Sequence, residues 1–327
     1  MTKQAATMAE KIPDSLGSGP RADSRANKDS PAPRFRIADY AVLLKPRVMS
    51  LVVFTAITGL LLAPNPPGSL SPLTGFFAVL CIALGAGASG AINMWYDRDI
   101  DQHMLRTKNR PLPAGRLEPR EALIFGITLA AGSVTAMAVL VNTAAALLLA
   151  LTILYYVFIY TVWLKRRTPQ NIVIGGVSGA LPPVIGWAAA TGDVGLGAVV
   201  LFAIIFLWTP PHSWALALFR QGDYEAAGVP MLPVVSGIRE TKRQMLLYTV
   251  ALVPVTLLPV VIGISGAFYA SAAAFLGFFF AHHMWQVWKD EDGTAARPMF
   301  FFSIIYLFLI FMAMLIDRLM YLPVFKF

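Results

Sequence analysis

Three oxygen-bearing side chains, Asn93, Asp97 and Asp101, recur four residues apart in NMWYDRDID. On a helix that spacing stacks them on one face, and Asp99 falls off it. Carboxylates at the C-terminal end of a helix are disfavoured by the macrodipole, so a positive partner is needed there. Hard oxygen donors without His or Cys suit Mg2+, which keeps several waters and joins a few carboxylates to substrate phosphates. The alternative is a polar face held at a membrane interface by Arg98 and Arg106, and spacing alone leaves both readings open. Arg106, Lys108, Arg110 and Arg116 follow around Pro111 and Pro113, and Lys165, Arg166 and Arg167 follow Tyr160 in YTVWLKRR. Cations beside carboxylates form internal ion pairs or, together with a divalent ion, a clamp for a diphosphate.

The second half of the chain is poorer in such groups. Asp223, Tyr224 and Glu225 lie beside Arg220 with no D-x-x-x-D pair, which reads as a solvated loop. His212 follows Pro210 and Pro211 in WTPPHSW. Two prolines free backbone carbonyls, so His212 either bonds that opened backbone or contacts a substrate, a haem iron included. His282 and His283, among Trp285 and Trp288, read as interfacial anchors, and His103 as a solvated loop residue. The Gly175-x-x-x-Gly179 pair reads as close helix packing. Trp95, Tyr156, Tyr160, Trp187 and Trp208 are core or lipid-facing aromatics, and any that line a cavity would present π-faces able to stabilise an allylic cation.

The elements that must position these groups are membrane helices. The 327 residues are 57% hydrophobic and 13% charged, with a mean hydropathy of +0.64, against about 45–50% apolar and about 25% charged in soluble domains. A span needs about 20 apolar residues, and such stretches are centred near Phe54, Ile82, Ala131, Ile153, Ala180, Ile205, Pro254, Ala274 and Leu307. Unbroken apolarity of this length means helix, since barrel strands alternate. The expected fold is therefore all-α: a polytopic membrane protein with nine transmembrane helices in one bundle over 37–327, a central cavity, and cytoplasmic loops capping the site. Residues 1–36, rich in Pro, Ser and mixed charge with no apolar run, are expected to be a disordered cytoplasmic tail.

Of the 26 basic residues only Arg318 and Lys326 fall outside the N-terminal stretch to Arg47 and the even-numbered loops. The positive-inside rule then puts the N-terminus in the cytoplasm and the C-terminus outside. The same bias accounts for the net charge of +8, so no nucleic acid is required. Acidic residues within the tail argue against a mitochondrial transit peptide and favour a bacterial inner membrane over the mitochondrial one. The lone Cys81 excludes an internal disulfide and any C-x-x-C site. A faint repeat relates NMWYDRDID with RPLPAG to LFRQGDYEAAG with VPMLPVVSG four spans later, an offset that preserves orientation.

The N-x-x-x-D-x-x-x-D motif, nine spans and the basic loop after the motif resemble the intramembrane aromatic prenyltransferase superfamily. Within it the longer strings are similar to the protohaem farnesyltransferase (haem O synthase) family. They are KPRVMSLVVFTAITG from Lys45, NMWYDRDIDQHMLRTKNRPLPAGR from Asn93, YTVWLKRRTPQNIVIGGVSGALPPVIGW from Tyr160, TPPHSWALAL from Thr209 and DYEAAGVPMLPVV from Asp223. Ser213 departs from the family, which usually has an aromatic after the His, and the superfamily's second acidic motif is reduced here to Asp223 and Glu225. The resemblance implies transfer of farnesyl from farnesyl diphosphate to a vinyl group of haem B, with water added, and Mg2+ as cofactor. It implies Asn93, Asp97 and Asp101 as metal-holding catalytic residues. Arg106, Lys108, Arg110, Lys165, Arg166, Tyr160, His212, Asp223 and Tyr224 are the implied substrate contacts. Beyond the lipid bilayer, the implied partners are haem A synthase or oxidase assembly proteins. The alternatives are a relative acting on a quinone precursor or chlorin, and a transporter, whose polar groups would gather at the midplane.

Overall fold

The computed structural model describes residues 36–64 and 70–320. All of the expected tail but Arg36, and also Lys326, lie outside the described residues. The helices are α1 Ile37–Leu43, α2 Pro46–Leu62, α3 Pro72–Tyr96, α4 Arg98–Asp101, α5 Pro119–Leu140 and α6 Thr143–Leu154. A π-helix, Tyr155–Leu164, continues α6, and is followed by α7 Asn171–Ala180, α8 Pro182–Thr191, α9 Leu196–Phe219, α10 Gln221–Ala226 and α11 Leu232–Val235. The described residues end with α12 Gly237–Val255, α13 Leu258–Val261, α14 Ala267–Lys289 and α15 Ala296–Met320. Among the described residues eight helical segments are long and apolar enough to cross a membrane, and α1 with α2, bent by 54°, adds a ninth when the pair is counted as one span. The surface of the bundle is apolar, as a wall facing lipid must be: Val139, Phe158, Phe278 and Leu319 are all exposed.

Among the described residues two large apolar cores hold the bundle, with two smaller clusters beside them. One gathers Trp208, Trp214, Tyr269, Phe280, Tyr306 and Phe311 where α9, α12, α14 and α15 meet. The other joins α2, α3, α6 and α8 through Ala56, Ala78, Ile82, Leu149 and Ile185. Helices α2 and α8 touch backbone to backbone. A Cβ on Gly59 would come within 2.0 Å of the Pro183 carbonyl oxygen, and one on Gly186 within 2.1 Å of that of Ala56.

Two local expectations are revised. Pro210 and Pro211 lie inside an unbroken α9, so His212 does not bond an opened backbone; its Nδ1 instead meets Ser303 Oγ of α15 at 2.7 Å. Of the Gly175/Gly179 pair, Gly175 seats the Tyr160 ring, while nothing lies within 4 Å of a Cβ on Gly179. The neighbour that does need its small size is Gly176, packed on Thr209 of α9.

Candidate active site

The Asn93 register survives the end of α3. Asp97 caps that helix, and its N–H still bonds the Asn93 carbonyl at 2.9 Å, as the Asp101 N–H bonds that of Asp97 at 2.9 Å. The helical repeat therefore carries into α4, and Asn93, Asp97 and Asp101 are all buried. Asp99 points away, with its side chain 61% exposed.

Each member of this face has a cation supplied by another element. Lys45, at the bend between α1 and α2, donates to Asn93 Oδ1 at 2.6 Å. It holds a left-handed backbone at φ 52°, the sole positive φ at a non-glycine among the described residues, so the bend aims the ammonium at local conformational cost. Asn93 Nδ2 donates to Asp97 Oδ2 at 2.7 Å and to Thr161 Oγ1 at 3.2 Å. Lys165 donates to the same Asp97 Oδ2, and Arg110 pairs with Asp101 at 2.6 Å.

The π-helix explains how Lys165 arrives. Its last turn bonds Lys165 N–H to the Tyr160 carbonyl, five residues back, at 2.9 Å. That wider turn brings residues five apart into line, as an α-helix does those four apart, and such segments collect at functional sites. Tyr160 lies over Gly175, where a Cβ would come within 2.2 Å of its ring, and its centroid is 5.2 Å from that of Tyr156. Both rings stand within electrostatic reach of Asp97.

Arg166 is committed differently. It grips Asp99 with two bonds of 2.7 Å, bonds the Tyr96 carbonyl, and lies 4.7 Å over the Tyr96 ring. This fork holds the Asp99 carboxyl down at about 2. Arg166 also approaches Asp97 Oδ1 at 3.6 Å without hydrogen bonding it. Arg106 and Lys108 are exposed and make no ion pair among the described residues. Arg98, considered from sequence as a holder of the carboxylates, bonds the Trp95 carbonyl instead.

From the second half, α10 brings Tyr224 within electrostatic reach of Arg106, Tyr160 and Lys165, and burial pushes its phenol up. The two halves of the faint repeat therefore meet at this site. Asp223 is largely buried, with Arg220 at 3.7 Å and one oxygen lacking a hydrogen bond, so it is less solvated than its loop position suggests. Glu225 is exposed and accepts from Gln221 at 2.7 Å. His212 stands apart from this group: its ring is stacked between Trp208 and Phe300 at 4.2 and 4.7 Å.

A divalent cation fits these residues. Asp97 Oδ1 is sealed from solvent with no hydrogen-bond partner, and Asp97 shares its helix face with the Asp101 carboxylate and the Asn93 amide, whose oxygens together make a hard donor set. The cations now on Asn93, Asp97 and Asp101 sit on long side chains that can yield these oxygens. Sequence reasoning missed the role of Lys45, named there only as the start of a string shared with the family, and Thr161 and Ser303, whose partners lie in distant spans. A lysine directly before the proline that opens a span was the available signal for the first.

Residues 52–305 match the UbiA prenyltransferase family. A protoheme IX farnesyltransferase of Parvibaculum lavamentivorans is 59% identical over 286 residues, covering 86% of this chain and 89% of the relative. One of Rhizobium rhizogenes is 57% identical over 285 residues, covering 86% and 88%. Among solved structures, a digeranylgeranylglyceryl phosphate synthase superposes with a TM-score of 0.72 at 20% identity, over 86% of this chain and 98% of that one. A UbiA homologue from Archaeoglobus fulgidus bound to GPP and Mg2+ gives a TM-score of 0.61 at 17% identity, over 84% and 99%. These structures share the fold. With the family matched over most of its length and relatives more than half identical, this chain belongs to the UbiA prenyltransferase family.

Proposed function

We propose that this protein transfers the farnesyl group of farnesyl diphosphate to a vinyl group of haem B, with addition of water, to give haem O. The observation that carries the reading is the identity of 55–59% to proteins named protoheme IX farnesyltransferase. The site supports it chemically, because buried carboxylates and uncommitted cations at one end of an apolar bundle suit a charged head on a greasy substrate.

Asn93, Asp97 and Asp101 would hold Mg2+, which when bound supplies charge that makes diphosphate a better leaving group. Arg106 and Lys108, without an ion pair among the described residues, bind the outer phosphate oxygens. Lys45, Lys165 and Arg110 turn to the oxygens that face the carboxylates. Arg166, held by Asp99, positions the strand of charge next to Asp97. Tyr156, Tyr160 and Tyr224 wall off water and present rings to the allylic cation as the carbon–oxygen bond breaks. The terminal vinyl carbon then bonds farnesyl C1, and water adds to the cation left beside the porphyrin and loses a proton. His212 contacts the porphyrin, and Asp223 orients the α10 side of the site.

The protein lies in a bacterial inner membrane with its N-terminus cytoplasmic and C-terminus outside, and it hands its product to haem A synthase or oxidase assembly proteins. Of the single-Cys probes in a Cys81→Ser background, one between 106 and 116 should label from the cytoplasm and one at Gly195 from outside. Mass spectrometry of a reaction with Mg2+, farnesyl diphosphate and haem B tests the chemistry. The expected product is a hydroxyethylfarnesyl haem, with 4-hydroxybenzoate left unreacted. Prenylation of that phenol at a comparable rate, with haem B unchanged, would overturn the reading.

A further inference from the structure

His212 is held more tightly than a packing residue needs. Trp208, one turn earlier on α9, covers one face of the imidazole at 4.2 Å and 16°, and Phe300 of α15 covers the other at 4.7 Å and 22°. The stack is pinned from outside, because Trp208 Nε1 donates to the Ser303 carbonyl at 2.7 Å.

The hydrogen bonds fix the proton as well. Ser303 Oγ donates its single hydrogen to the Phe300 carbonyl at 2.6 Å. Towards His212 Nδ1, 2.7 Å away, it is left with lone pairs only. Nδ1 must therefore carry the ring proton and donate it, and Nε2 keeps a bare lone pair. Among the described residues no group bonds that nitrogen, and the residue is only half-buried.

A neutral imidazole whose Nδ1–H is tied to an acceptor, and whose Nε2 is open, is the arrangement that metal-ligating histidines adopt, since the outer bond fixes the tautomer and raises basicity. The other use of such a nitrogen, taking a proton from water, would leave an imidazolium between two aromatic rings and a hydroxyl with no carboxylate among its contacts. Burying an unpaired charge is costly. His283 makes a weaker case: its Nδ1 meets its own helix at the Phe279 carbonyl, and one ring face lies on Phe302 at 4.3 Å.

We infer that His212 Nε2 is an axial ligand to the iron of the acceptor haem, with Ser303 its positioning residue. The inference rests on haem B being the acceptor, as proposed above. It gives the porphyrin a fixed point on α9, one to two turns from the end at which α10 begins, so that a vinyl edge is presented in a set orientation.

The test titrates purified full-length protein with ferric haem B, without farnesyl diphosphate, and follows the Soret band and the electron paramagnetic resonance spectrum. The wild type and His283→Ala should show nitrogen ligation. His212→Ala should lose it and bind ferric haem at least about tenfold more weakly, and added imidazole should restore the spectrum. Ser303→Ala should keep ligation with a shifted spectrum. Metal-free protoporphyrin IX, which has no iron to ligate, should bind the wild type and His212→Ala alike, which also shows that the variant is folded. Identical ferric haem spectra and affinities in wild type and His212→Ala would overturn the inference. If the wild type still makes farnesylated haem in that case, the function stands and only the ligand is wrong; if it makes none, the function itself falls.

Discussion

Asp97 and Asp317 are the same side chain at nearly the same burial, 1% and 3% exposed, at opposite ends of the bundle. Asp317, near the end of α15, accepts the backbone N–H of Gly266 and, at 3.0 Å, that of Tyr269, the amides that open α14. Both its oxygens are satisfied by groups the fold cannot move, and it serves the helix N-terminus as a cap contributed by another span. Asp97 instead shares one oxygen between an amide and the Lys165 ammonium and leaves the other without a hydrogen bond. Its partners are flexible side chains, and they can turn to a ligand. A buried acid closed by backbone belongs to the architecture, and one closed by mobile cations, with an oxygen to spare, is the one we propose for chemistry.

Neutralising each acid should separate these roles. Asp97→Asn is nearly isosteric and should lower farnesyl transfer on the order of a hundredfold or more, with the amount of folded protein in the membrane unchanged. Normal turnover of that variant in the presence of EDTA would place the metal elsewhere. Asp317→Ala should do the converse. It strands two buried N–H groups, costing about 1–3 kcal/mol, so thermal unfolding in detergent should begin earlier while turnover per folded molecule is kept.

The aromatic wall beside Asp97 gives a finer test. Gly175→Ala puts a methyl group into the Tyr160 ring and should lower activity more than stability, whereas Gly179→Ala, facing open space within 4 Å, should be silent in both assays. Equal losses in the two would mean that Tyr160 is packing alone.

The smallest effect belongs to Asp99. Its folded value of about 2 lies below an unfolded value of about 3.9. The Arg166 pair therefore stabilises fully above the unfolded value, and that contribution is lost as pH falls through about 2. Because Asp99 is largely exposed, the gain is slight. Melting curves of wild type and Asp99→Asn should keep a small constant offset from pH 8 down to about 4 and converge below it.

The architecture was legible in advance because lipid leaves a chain few choices. Every apolar run of about 20 residues must be a helix, and each expected centre falls within a helical segment of the structure. The Asn93, Asp97 and Asp101 face was legible for the same local reason, since a helical repeat fixes which residues share a side. Sequence also supplied the stock of cations around it, though positive-inside bias alone would supply as many.

What it could not assign was who pairs with whom. Lys45 reaches Asn93 across 48 residues, Lys165 reaches Asp97 across 68, and His212 reaches Ser303 across 91. Such pairings follow from how spans pack, and packing is set by details such as the bare Gly59 and Gly186 contacts and one π-helical register. Local pattern sees the face a residue occupies, because that depends on neighbours a few positions away. Only the tertiary structure decides which cation, hydroxyl or ring stands opposite that face, and so which acids are closed and which are left to bind.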